Sequence, residues 1–153
     1  MLNRVSMKRI TKELTRDFKD YDYSFTIYHP NKRYMEIKLK IDDKCLCFKI
    51  YPDYPFKAPY LFINDVNYIE RYKIMYVSYK DLLNRISITH TECPCCDTLL
   101  CNWSPGNMLK DVLQEYFIRE NKYNKIKTIL VLKILQSQLP FDDLIINQLI
   151  NFI

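Results

Sequence analysis

Four of the chain's six cysteines, Cys93, Cys95, Cys96 and Cys101, lie in the run Cys93-Pro94-Cys95-Cys96-Asp97-Thr98-Leu99-Leu100-Cys101-Asn102-Trp103-Ser104-Pro105, which also holds the only tryptophan. Thiols at that density are rarely there for packing alone. Two chemistries use them. A thiolate is a nucleophile when exposed and deprotonated, and it is a soft ligand that takes zinc in tetrahedral sites. With His90, the pattern His90-x2-Cys93-x-Cys95-Cys96-x4-Cys101 offers five soft or borderline ligands. Zinc needs four of them, and the spacing is not a clean pair of Cys-x2-Cys knuckles. A structural zinc on His90, Cys93, Cys96 and Cys101 would leave Cys95 free. The plainer alternatives are a buried, hydrophobe-like Cys101 and a loop histidine at position 90. The residues alone leave the thiolate and the metal both open.

Composition narrows the setting. At 153 residues, with 48% hydrophobic and 27% charged residues, the chain is long and apolar enough for one domain with its own core. The net charge of +5 is spread among 18 acidic residues. Its densest basic stretch (Arg4, Lys8, Arg9, Lys12, Arg16 and Lys19) reads as a solvated helix face, so no nucleic-acid partner is expected. Met1–Ser6 lacks the apolar core of a signal peptide, and no apolar run approaches a membrane span; the tract Ile129–Leu135 is broken by Lys133. The expectation is a soluble intracellular protein, cytoplasmic with access to the nucleus, whose cysteines are reduced, metal-bound or catalytic.

The cluster has to be held by the elements around it. Met7, Ile10, Leu14 and Phe18 mark one face of an N-terminal amphipathic helix, with Ser6 as its cap. The period then changes to two. Ser24–His29, Tyr34–Ile41, Cys45–Tyr51 and Tyr60–Ile63 read as four antiparallel strands. Met35, Ile37, Leu39 and Ile41 line one face of the second, and Leu46, Phe48 and Ile50 the core face of the third. Cys45 and Cys47 share the other face with Lys49 and read as half-exposed. Asn64–Thr91 reads as one or two short helices, one opened by a capping box at Ser78 and Asp81. After the cluster, Asn107 is read as the cap of a helix to about Arg119, followed by a second helix over Tyr123–Gln138, a break at Pro140, and a last helix opened by Asp142 and Asp143. The sum is an α+β chain: an N-terminal helix, a four-stranded antiparallel meander, an active-site loop and C-terminal helices.

In that order the pieces resemble the ubiquitin-conjugating enzymes. Arg9-Ile10-Thr11-Lys12-Glu13-Leu14 is similar to the family's opening Arg-Ile-x-Lys-Glu-Leu. The stretch Phe48–Pro59, through Tyr54-Pro55-Phe56, is similar to the strand leading into Tyr-Pro-Phe-x-Pro-Pro, with Ala58 replacing the first of the paired prolines. Trp103-Ser104-Pro105 matches the family's Trp-Ser-Pro, and Val112-Leu113 its following Val-Leu. The resemblance covers residues from about Met7 to Phe117, within one domain spanning 1–153 whose helical part, from about 119 to 153, diverges.

The resemblance implies acyl transfer through a thioester with ubiquitin or a ubiquitin-like protein, supplied by an activating enzyme in an ATP-dependent pathway and passed to a lysine, often with a ligase. Counting back eight residues from Trp103, as in the family, makes Cys95 the nucleophile, and Cys96 the fallback if the register slips by one. Asp97 falls at the family's acidic position, where it would orient the incoming lysine or help remove its proton; equally, it is a loop residue accepting a backbone hydrogen bond. No cofactor is required, and zinc would be structural. Arg9 and Lys12 match the family's contact with the activating enzyme; Phe56, Pro105 and Gly106 match its ligase-docking positions. The family's His-Pro-Asn, whose asparagine serves the oxyanion, is replaced here by Ile88-Thr89-His90-Thr91-Glu92. His29-Pro30-Asn31 lies far from Cys95 in sequence and reads as a chance match, while Asn102 is the substitute donor to examine. Without such a donor, the alternative is a catalytically inactive binding module of the same fold with a zinc-stabilised cysteine loop.

Overall fold

A computed structural model of the protein describes residues 4–27, 33–85 and 96–138. Residues Met1–Leu113 and Gln114–Ile153 form two compact units. Along the chain run α1 (Arg4–Asp17), β1 (Asp22–Ile27), β2 (Met35–Ile41), β3 (Lys44–Ile50), β4 (Tyr60–Ile63), β5 (Val66–Asn67), α2 (Tyr68–Arg85) and α3 (Leu109–Gln138). The architecture is therefore α+β, with an N-terminal helix, an antiparallel sheet and a C-terminal helix.

The sheet is a simple meander in the order β1-β2-β3-β4-β5. Strict alternation in β2 and β3 fixes its register: Ile37 lies opposite Phe48, and Leu39 opposite Leu46. Met35, Ile37, Leu39, Leu46, Phe48, Ile50, Leu61 and Ile63 make one continuous buried face. From α1, Ile10 and Leu14 are buried as well, and so is Phe18 directly after it, whose ring meets Phe48 edge-on at 6.5 Å between centroids. Burying each such side chain contributes about 1.5–3 kcal/mol, so this face is the main source of stability in the first unit.

Five strands form, not four. Asn64 and Asp65 sit at φ 48° and 64°, the paired left-handed geometry of a type I′ turn, which folds Val66–Asn67 back onto Phe62–Ile63. Asn64 Oδ1 also accepts from the Cys45 amide at 2.8 Å. β1 begins two residues earlier than read and is described as far as Ile27; Tyr28 and His29-Pro30-Asn31 lie outside the described residues.

The helices differ from the reading in three ways. Ser6 does not cap α1, which starts at Arg4; its buried hydroxyl instead donates to the carbonyls of Pro52 and Tyr54. α2 is a single 18-residue helix that runs through Ser78. Its cap is Asn67, whose Oδ1 accepts from the Ile69 amide at 3.0 Å and the Glu70 amide at 3.3 Å. α3 is one continuous helix of 30 residues. It runs without interruption through 120–122, the stretch read as a break, and Arg119 pairs with Glu115 one turn earlier at 2.7 Å. The last helix, from Asp142, lies outside the described residues.

Candidate active site

The described part of the cysteine loop is a tight turn built on Thr98, which is fully buried. The Thr98 carbonyl accepts from the amides of Cys101 (3.1 Å) and Asn102 (3.0 Å) and from Asn102 Nδ2 (3.2 Å), and Thr98 Oγ1 accepts from the Cys101 amide at 3.3 Å. Asn102 Nδ2 also donates to the Cys96 carbonyl. Both amide hydrogens of Asn102 are thus spent on bracing the turn. That corrects its reading as a substitute oxyanion donor, because a carboxamide has only two N–H donors.

Directly after the turn, Trp103 locks it to the Tyr-Pro-Phe loop. Its indole Nε1 donates to the Pro55 carbonyl at 2.7 Å, and its ring lies 5.9 Å from that of Tyr54. The Tyr54–Pro55 peptide is cis. Phe56 is left 76% exposed after Pro55, and Pro105 and Gly106, which follow Ser104, are exposed too. A cleft of about 460 Å³ runs alongside, lined among others by Tyr51, Asp53, Lys57, Tyr60, Ile69 and, from the cysteine turn, Leu100.

Behind this corner sits Glu13, only 3% exposed. Its carboxylate accepts from Arg9 Nε (2.7 Å), from the Tyr54 hydroxyl at both oxygens (2.7 and 2.9 Å), and from the Leu109 amide that opens α3 (2.9 Å). One carboxylate thereby ties together α1, the Tyr-Pro-Phe loop and α3. The N-terminus of α3 is completed by Asp111, which accepts from the Met108 amide at 2.8 Å; this geometry makes Met108, not Asn107, the capping position. Asn107 contributes its carbonyl, which accepts from Arg9 Nη2 at 2.8 Å. Burial, and then the charge of Glu13, push the Tyr54 phenol above its ordinary value, so it stays a donor.

The sequence-derived site residues fall unevenly. Asp97 and Cys96 are exposed at the start of the turn and Cys101 is exposed near its end. Cys95, read from the sequence as the nucleophile, and the metal candidates Cys93 and His90 lie outside the described residues; among the described ones no group of three or more metal-binding side chains is assembled. Cys101 is therefore not the buried small hydrophobe it could have been. Arg9 is not a free surface cation, since Glu13 and Asn107 hold it. Lys8, Lys12 and Arg16 remain exposed along a shallow groove that also touches Val5 and Met108. Cys45 is exposed, whereas Cys47 is 7% exposed and its thiol is pushed up to about 11, by burial first and then by Glu36. Sequence reasoning placed Glu13 in the opening motif but missed its buried bracing role. The signal was there: a glutamate between Ile10 and Leu14, on the helix face that faces the core.

No helix among the described residues is long and apolar enough to cross a membrane. Comparison of the chain with protein-family models, with curated proteins and with solved structures found no match.

Proposed function

We propose that the chain is a divergent ubiquitin-conjugating enzyme, with the fold of that family, and that Cys95 carries the modifier as a thioester. The observation that supports this best is the Trp103–Pro55 hydrogen bond, reinforced by Glu13. It joins the Tyr-Pro-Phe and Trp-Ser-Pro motifs into one braced corner immediately after the cysteine run. The resemblance requires those motifs in that chain order, and a loop presenting a nucleophile needs rigid support on its far side.

In this reading the Cys95 thiolate attacks the C-terminal carbonyl of ubiquitin or a ubiquitin-like protein held by the activating enzyme, whose own thiolate leaves. A substrate lysine amine then attacks the new thioester, the Cys95 thiolate departs, and an isopeptide bond forms. Asp97, exposed two residues on, orients the lysine or takes its proton. The cleft ending at Leu100 takes the modifier's extended tail, exposed Phe56, Pro105 and Gly106 meet a ligase, and Lys12 meets the activating enzyme. A structural zinc on Cys93, Cys96, Cys101 and His90 is a separate proposal, compatible with a free Cys95.

One observation favours the second reading, an inactive binding module. The donor that would have replaced the family's asparagine is consumed within the turn. Losing an oxyanion donor costs about 10²–10³ in rate. Incubation with activating enzyme, ATP and modifier separates the two. A reducible adduct lost in Cys95→Ser supports the enzyme. No adduct, together with retained binding of the free modifier, supports the module.

A further inference from the structure

The two edges of the sheet are finished differently. At one, β5 is only two residues long and runs straight into α2 through the Asn67 cap. Such a short edge offers little to pair with. At the other, β1 presents six residues, Asp22–Ile27, in an unbroken register with β2 from Asp22↔Lys40 to Ile27↔Met35. It has no bulge, no proline and no lysine, the devices that normally blunt an edge. Its one charge, Asp22, sits at the end. Among the described residues nothing pairs with its outer side, and Phe25, on the sheet face it shares with Ile37, is 54% exposed.

We propose that β1 is a self-association edge, pairing antiparallel with β1 of a second copy about a two-fold axis through Ser24. The strand's own sequence is the argument for that occupant. Antiparallel pairing about Ser24 sets Tyr23 against Phe25 twice, and Asp22 against Thr26 twice. The acid therefore meets a hydroxyl and never another acid. Centring on Phe25 instead would give one aromatic pair in place of two. Cross-strand aromatic pairs and polar pairs each favour the sheet, and the pairing satisfies the outward-facing amides and carbonyls of alternate residues. The joined sheet would be continuous, with the buried faces of both copies on the same side. A contact of five or six residues a side is smaller than a stable interface of roughly 1,200–2,000 Å². The dimer therefore exchanges rapidly and fills only at high concentration. This inference is independent of the thioester chemistry.

Sedimentation equilibrium of the full chain tests it. The average mass should climb from 18.6 kDa toward twice that value between roughly 10 µM and 1 mM, the range expected of weak contacts. Over the same range, amide exchange should slow at every second residue of Asp22–Ile27 only, because the alternate amides already serve β2. Two variants check the geometry. Phe25→Lys should weaken association at least about tenfold. Ser24→Glu places its new charge opposite Lys38 within the chain, which favours the folded monomer, but sets like charges face to face across the axis. It should also weaken association, with partial recovery near 0.5 M salt. A wild-type mass that stays at the monomer through about 1 mM overturns the proposal. So does an association curve that neither variant moves.

Discussion

Replacing Glu13 with glutamine keeps the side chain's shape and removes its charge. In the folded protein the two carboxylate oxygens accept from Arg9, Tyr54 and the Leu109 amide. A carboxamide has one accepting oxygen, so its NH2 group must face either the Leu109 amide or Arg9 Nε, donor against donor. A hydrogen bond to a charged group is worth about 1.5–3 kcal/mol, and stranding a buried donor costs about 1–3 kcal/mol more. These losses overlap, and Glu13→Gln should cost about 2–4 kcal/mol. For a chain of this size that lowers Tm by roughly 5–15 °C. Tyr54→Phe removes one donor and leaves the other two satisfied, so it should cost about 1–2 kcal/mol. Because both changes act on the same oxygens, the double variant should lose less than their sum, with a coupling of about 1 kcal/mol. Urea unfolding followed by circular dichroism measures all four proteins. If Glu13→Gln falls within about 0.5 kcal/mol of wild type, or the two changes simply add, the carboxylate is not the tie between α1, the Tyr-Pro-Phe loop and α3.

Thiol reactivity should separate the two cysteines of β3. At pH 8 Cys47, raised from 9.0 to about 11, holds about 100-fold less thiolate than an ordinary thiol; peptide-resolved alkylation should label Cys45, Cys96 and Cys101 well before it, and equal labelling contradicts its burial. Asp17 is held below the ordinary 3.8, chiefly by hydrogen bonds from Arg16, against a smaller opposing effect of burial. A lowered native value means its contribution is complete above that pH and is lost as pH falls through the lowered value. Asp17→Asn should therefore flatten the loss of stability on the acid side of 3.8, and an unchanged slope between wild type and variant counts against the pair. Gly106 is not in the left-handed region, and a Cβ there would meet only Ser104 Oγ, at 3.6 Å. Gly106→Ala should therefore leave stability within about 0.5 kcal/mol of wild type or raise it, while weakening ligase docking if the exposed corner is used that way; a large loss of stability would mean the turn needs glycine after all.

Much of the frame was legible from particular residues. Met35, Ile37 and Leu39 alternate, and so do Leu46, Phe48 and Ile50; each set became one face of a strand. Ile10, Leu14 and Phe18 declared the core side of α1. The fifth strand escaped because two residues carry no period, although Asn64-Asp65 was a usable I′ turn signal. α2 was misread because the local capping pattern at Ser78 and Asp81 was given more weight than the buried Tyr68 and Tyr72, one turn apart. α3 was read as two helices, parted at Arg119-Glu120-Asn121-Lys122. Three of those four are good helix formers, and no glycine or proline interrupts the chain before Pro140. At the candidate site, the Tyr-Pro-Phe and Trp-Ser-Pro motifs were visible in the sequence, but not that Trp103 would bond to Pro55, nor that Asn102 would be occupied. Its partners, the carbonyls of Cys96 and Thr98, belong to the backbone, which side-chain patterns do not encode.

The thioester on Cys95 is the claim on which the functional account stands. Mass spectrometry of the protein after incubation with activating enzyme, ATP and ubiquitin addresses it directly. The account predicts one added modifier, released by thiol reductant, mapped to Cys95 and absent from Cys95→Ser. An unmodified wild type, or an adduct that persists in Cys95→Ser, would contradict it.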